Sequence, residues 1–224
     1  MKPTFFITGT DTGVGKTVLT ALLVRFLRAR GVHAAALKPI CSGGRDDAHK
    51  IFAAMNGALT LDEINPWHFR AAIAPALAAR LERKSVALFA GLAYLRAAQK
   101  KFDVLLVEGA GGLLSPLGEN FDSRDLIVAL RATPIIVAQN KLGALNHVLL
   151  TLAALPKKRR AAAKVVLMAP PKADAATATN QKLLAQFFPG EKIFSLPWLG
   201  ENFAPAKVLQ NRRVAPTLRA LARI

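Results

Sequence analysis

The chain has 224 residues, 52% of them hydrophobic, enough to bury a sizeable core and a length that fits one α/β domain over 1–224 better than two. It carries 31 Lys and Arg against 14 Asp and Glu, a formal charge of +17, and its single cysteine, Cys41, excludes an intramolecular disulfide. The start, "MKPTFF", has no basic-then-apolar leader, and every long apolar run is broken by charge or glycine well short of a membrane span. A cytoplasmic protein with no membrane segment is expected.

Strand-like and helical patterns alternate along the chain. "TFFIT" leads into "GTDTGVGKT" and the helical "VLTALLVRFLRAR", where Val18, Leu19, Leu22, Leu23, Phe26 and Leu27 form one stripe and Gly31 can stop the helix. "HAAALK", "DDAHKIFAAM", "SVALFAGLAYLRAAQKK", "DVLLVEG", "DSRDLIVALR", "PIIVAQN", "ALNHVLLTLAAL", "KVVLMA" and "KIFSLP" continue the alternation. This order predicts a mostly parallel α/β sheet with helices on both faces, and "MAPPKADAAT" is its most loop-like stretch. The basic excess sits late: residues 1–140 hold 17 basic and 11 acidic side chains, residues 141–224 hold 14 and 3. Such a field attracts nucleic acid, acidic membranes or small polyanions. "KKRR", Lys157 to Arg160, nevertheless reads as a solvated helix-to-strand connection because no aromatic residue interleaves it, and nucleic acid is not expected as a partner.

In an open parallel sheet, ligands collect at the carboxyl ends of the strands. After the first strand, Gly13 and Gly15 let backbone N–H groups turn around an anion, and the helix starting near Lys16 aims its positive end at the same spot. Lys16 adds a full charge, and Thr17 a hydroxyl suited to Mg²⁺. Strand, Gly-x-Gly-Lys-Thr and amphipathic helix in that order predict a P-loop NTPase-like phosphate cradle. Thr10 replaces the usual first glycine, a change tolerable if Gly9 supplies the flexibility. At the second strand end stand Lys38, Ser42, Asp46 and Asp47; Lys38 reads equally as a phosphate-facing cation or a solvated strand end, and Asp46 or Asp47 as a helix N-cap. At the third, Glu108 closes an apolar strand, where Mg²⁺ bound to nucleotide phosphates is a natural partner for a carboxylate and is favoured over a structural salt bridge. Thr17, Asp47 and Glu108 can supply the few oxygens Mg²⁺ needs, while Lys16 and Lys38 can neutralise a transferring phosphoryl group, a set that implies ATP-driven chemistry. His33, His49, His68 and His147 read as surface or packing residues.

The segments "TGTDTGVGKT", "LKPICSG" with "DDA", "NPWHF", "VEGAGGLLSPL", "NKLGALNH" and "LPWLGEN" lie along almost the whole chain and closely resemble the dethiobiotin synthetase family. The resemblance implies a Mg²⁺-dependent homodimer in which diaminopelargonate takes up CO2 as a carbamate, ATP phosphorylates it, and the second amine closes the ring. It implies that Thr12, Gly13, Val14, Gly15, Lys16, Thr17, Val18, Glu108 and Gly111 bind nucleotide, and that Thr17, Asp47 and Glu108 hold metal. Lys16, Lys38 and Ser42 would be catalytic, with Lys38 and Ser42 contacting the carbamate. Gly143, Ala144, Leu145 and Asn146 would present amides to the substrate carboxylate across the subunit interface, and Pro197, Leu199, Glu201 and Asn202 would border adenine and ribose. Two departures stand out: the family's adenine-reading asparagine is missing near Ala169, and "AAIAPALAAR" is more apolar than its counterpart. Dimeric partition ATPases share a similar loop but resemble one another in an early loop lysine, where this chain has Asp11.

Overall fold

The computed structural model describes residues 2–188, 192–200 and 208–223. Its centre is a six-stranded parallel sheet of β1 (Thr4–Gly9), β2 (Ala34–Leu37), β5 (Val104–Gly112), β6 (Thr133–Gln139), β7 (Lys164–Met168) and β8 (Ile193–Leu196). The strand order is β2-β5-β1-β6-β7-β8, so β1 is flanked on both sides. Every residue of β1 is buried. Successive side chains of a strand point to opposite faces, so full burial means that both faces are covered.

The cover comes from helices that follow the strands. α1 (Lys16–Arg28) packs on β1, β2 and β5, and beside it lie α2 (Asp46–Ala54) and, at the end of the chain, α10 (Ala215–Ala222). α5 (Leu88–Lys101) and α6 (Ser123–Ala129) pack on β5, α7 (Ala144–Ala154) and α8 (Lys157–Ala162) on β6, and α9 (Ala175–Phe187) on β8. The helical stripe expected after the glycine loop is the buried face of α1: Leu19, Leu22, Leu23, Phe26 and Leu27 are all buried, whereas Arg28 lies in its last turn. Gly31 takes a left-handed φ of 78° just past the helix, as a stop residue should.

Two features depart from the sequence reading. Ile40–Ser42 (β3) and Trp67–Phe69 (β4) form a second, two-stranded parallel sheet beside the helices α3 (Leu61–Ile64) and α4 (Pro75–Leu81), which the alternation of patterns does not mark. Lys157 to Arg160 do lie in the solvated connection from α7 to β7, but they are helical there, opening α8, which has no buried residue.

Leu22 is fully buried in the α1–sheet interface. A Leu22→Ala variant is expected to lose about 3 kcal/mol of stability, read as a lower urea midpoint with an unchanged slope.

Candidate active site

The loop between β1 and α1 owes its shape to three glycines that serve different needs. Gly13 and Gly15 adopt φ of 73° and 99°, left-handed backbone that turns their amides inward. Gly9 has no such φ, and the flexibility expected of it is not what its position requires. A Cβ there would lie 2.7 Å from the Asp11 carbonyl oxygen and 2.8 Å from Val14 Cγ2. Glycine is needed at position 9 for space, because the loop folds back over the end of the strand. Lys16 Nζ donates to that same Asp11 carbonyl at 2.8 Å, so the loop curls around the ammonium. No side chain caps α1, which leaves the N–H groups of its first turn free to meet an anion.

Three chain segments converge beneath this loop. Ile7 is paired with Glu108 in the β1–β5 register, which brings the carboxylate under the start of α1. Thr17 Oγ1 donates to Glu108 Oε1 at 2.7 Å, and Lys38 Nζ donates to the same oxygen at 2.7 Å. Lys38 Nζ also lies 2.9 Å from Asp47 Oδ2. Glu108 is wholly buried, and among the described residues its Oε2 has no hydrogen-bond partner. One of the two readings of Lys38 is excluded: it is 4% exposed and bridges two carboxylates, so it is not a solvated strand end. Nor are Asp46 and Asp47 N-caps. Arg45 holds that position, and the two aspartates occupy the first turn of α2, where a carboxylate is favoured by the helix's amide end.

The charges adjust one another. Burial works against the Lys38 ammonium, but Glu108 and then Asp47 outweigh it and raise its pKa above the ordinary lysine value. Burial would raise the Asp47 carboxyl, yet the facing Lys38 holds it below the usual carboxylate range. Lys16 is pushed down to about 8, by burial first and by the neighbouring Lys38 second. Burial raises the Cys41 thiol, which makes it a poor nucleophile.

Above this cluster opens a cleft of about 620 Å³. It unites Thr12, Gly13, Gly15, Lys16, Thr17 and Val18 from the loop and α1 with Lys38, Ser42, Asp47 and Gly111. Val14 is buried beneath the loop rather than exposed to the cleft, and the Ser42 hydroxyl donates to the Ile73 carbonyl. Gly143, Ala144, Leu145 and Asn146, at the start of α7, do not line the cleft, nor do Pro197 and Leu199. Glu201 and Asn202 lie outside the described residues.

Asn65 is a site residue that the sequence reading quoted, in "NPWHF", without assigning it a task. It is buried, its Nδ2 donates to the Lys38 carbonyl at 2.8 Å, and its Oδ1 accepts from Cys41 Sγ and from Arg45 Nε. It thus fixes the backbone that presents Lys38. Lys50 of α2, Ile73 and Pro75 at the start of α4, and Ser115 after β5 also line the cleft, and no periodicity or spacing marks them. Among the described residues, no three His, Cys, Asp or Glu side chains gather into a metal cage, and no helix is long and apolar enough to cross a membrane.

Residues 3–205 match the family model of an AAA domain. An ATP-dependent dethiobiotin synthetase of Anaeromyxobacter sp. (strain Fw109-5) is 44% identical over 166 residues, covering 72% of this chain and 74% of that protein. Its counterpart in Anaeromyxobacter sp. (strain K) is 39% identical over 198 residues, 86% of this chain and 89% of that protein. The chain belongs to the dethiobiotin synthetase family. As a member of it, the protein is an ATP-dependent ligase with a P-loop. The solved structure of pNOB8 ParA, at a TM-score of 0.57 and 12% identity over 98% of both chains, shares its fold. Asn140, at the end of β6, is buried and engaged by Asn180 at 2.9 Å and by the Thr177 carbonyl at 3.0 Å.

Replacing Lys38 by methionine leaves Glu108 and Asp47 without their cation. The Lys38→Met variant should lose about 3–5 kcal/mol in chemical denaturation, the usual cost of stranding a buried charge. Adding Glu108→Gln should recover part of that loss, and a strictly additive double variant would show that the two side chains are not coupled.

Proposed function

We propose that residues 1–224 form a single ATP-binding domain that carboxylates diaminopelargonate with CO2 and closes its ureido ring to dethiobiotin, a step of biotin synthesis. The observation that carries this reading is the cluster of Thr17, Lys38, Asp47 and Glu108 under a glycine loop, in a chain of this family. The reaction needs a polyphosphate held still, a carbamate oxygen brought to its terminal phosphorus, and no protein nucleophile. The cleft offers that chemistry: free amides, two lysines, and a cysteine whose thiol is kept protonated.

The backbone of Thr12 to Val18, with Gly111, cradles the phosphates, and Lys16 turns from the Asp11 carbonyl to the β/γ oxygens. The donor set fits Mg²⁺. One hydroxyl and two carboxylates meet at Thr17, Asp47 and Glu108, and the unpartnered Glu108 Oε2 is a buried oxygen in need of a cation. Two carboxylates with phosphate and water as the remaining ligands are what Mg²⁺ commonly accepts. When bound, the ion would withdraw charge from the β/γ oxygens. Lys38 and Ser42 orient the carbamate. Its oxygen attacks the γ-phosphorus and ADP departs; the second amine then attacks the carbonyl carbon, and inorganic phosphate leaves as the ring closes. Both lysines oppose the negative charge that gathers on the transferring phosphoryl group.

The homodimer reading assigns Gly143 to Asn146 to the partner's substrate carboxylate. Its support is that the start of α7 lies off the chain's own cleft while Leu142 and Leu150 stand exposed there, 84% and 61% accessible. Pro197 and Leu199 remain candidates for the adenine border, and a cytoplasmic location suits a substrate set of small soluble metabolites.

The deciding experiment is phosphate release from ATP with Mg²⁺ and bicarbonate, with and without diaminopelargonate. Strict dependence on the diamine is expected, and release indifferent to it would overturn the reading. Lys16→Ala should abolish turnover in the same assay. Glu108→Gln should shift the Mg²⁺ titration to higher concentration, by about tenfold if one ligand's share of about 1.4 kcal/mol is lost; an unchanged titration would remove Glu108 from the metal site.

A further inference from the structure

The +17 charge is not spread evenly over this fold. In a parallel sheet, the residues that lead into the strands all lie at its amino end, opposite the cleft. In this chain each of those lead-in segments carries at least one basic residue. Lys2 precedes β1, Arg28 and Arg30 precede β2, and Lys100 and Lys101 precede β5. Arg131 precedes β6, Lys157 to Arg160 and then Lys164 lead into β7, and Lys192 precedes β8. Hydrogen bonds join these segments into one surface. Arg159 reaches the Ala132 carbonyl at 3.2 Å, Lys192 the Ala161 carbonyl at 2.5 Å, and Lys164 the carbonyl of Arg223, at the end of α10, at 2.6 Å. A cleft of about 370 Å³ opens among them, flanked by Lys2, Arg131, Lys164 and Arg223. The only acid among the described residues of these segments is Asp103, already paired with Lys2 at 3.1 Å.

Helix electrostatics explain part of this. Cations in a last turn, such as Arg28, Lys100 and Lys101, complement the carbonyl end. They do not explain Lys157 and Lys158, which are exposed in the first turn of α8, the amide end where a cation is disfavoured. Nor do they explain Lys192, which lies outside helices, whereas Arg131 follows directly on the C-cap of α6. In the fold, Lys157 to Arg160 are the densest part of a face on which, among the described residues, Lys2 alone is paired with an acid.

We propose that this face binds the phosphate backbone of duplex nucleic acid without reading its sequence. Six strands at about 4.8 Å spacing make a face about 24 Å across, along which a duplex presents about 14 phosphates at one per about 1.7 Å. Among the described residues leading into the strands, the exposed large apolar side chains are Val128 and Phe187, in the last turns of α6 and α9; two isolated side chains make neither the apolar face of a membrane anchor nor a row of stacking platforms.

The test is fluorescence anisotropy with a labelled duplex and the full chain. Binding should weaken by about 10²-fold between about 50 and about 200 mM salt, as four phosphate contacts require. Lys157→Glu/Lys158→Glu, which places acids where α8 favours them, and separately Arg131→Gln, should each reduce binding, the double reversal by about tenfold or more. ATP turnover should be unchanged in both. Absence of binding at low salt, binding that ignores the variants, or tighter binding to phosphatidylserine vesicles or single strands would each overturn the proposal.

Discussion

The ion pair between Lys38 and Glu108 is the interaction on which the site depends. A carboxylate in the middle of a buried parallel sheet is tolerable only with a partner, and Glu108 lies on β5 directly beside β1. Lys38 supplies the countercharge from the end of β2, and Thr17 supplies a hydrogen bond from the start of α1. One carboxylate therefore ties the two strands beside the loop to the helix that follows it. Asp47 extends the cluster to α2, and Asn65 secures the backbone of Lys38 from the segment before β4. A site assembled this way is rigid before any ligand arrives, because each charged group is held by another.

Much of this was legible in the sequence, and the limits were physical. The alternation of patterns was enough for the parallel sheet, and the glycine loop marked its own place because left-handed backbone and free amides demand a specific spelling. Glu108 stood out as a charge ending an apolar run. What could not be read were facts that depend on three-dimensional neighbours. Gly9 looked like a source of flexibility, whereas its glycine is required by the Asp11 carbonyl and Val14 pressing on it. Three-residue strands such as β3 and β4 carry too little periodicity to be seen. The capping role expected of Asp46 or Asp47 was displaced because Arg45 is anchored to the carbonyls of Leu61 and Asn65, which fixes the helix start one residue earlier.

The two ends of the sheet contrast in how their charge is handled. At the carboxyl end, cations and anions are paired, buried and convergent. At the amino end they are mostly of one sign and spread out, with Lys2–Asp103 paired and the tetrad of α8 at the centre of the imbalance. A surface of that kind does not stabilise the fold, since like charges at short range repel. It persists in a chain whose core and paired cluster supply the stability.

The length of the strands keeps these two regimes apart. β1 has six residues, about 20 Å at about 3.3 Å per residue, and the ionic atmosphere around the molecule decays over about 8 Å at physiological salt. Through solvent, the potential of the basic end falls by roughly an order of magnitude before it reaches the loop. The protein can therefore carry a large one-sided charge without flooding its phosphate cleft with counter-ions, and substitutions at one end leave the electrostatics of the other nearly untouched.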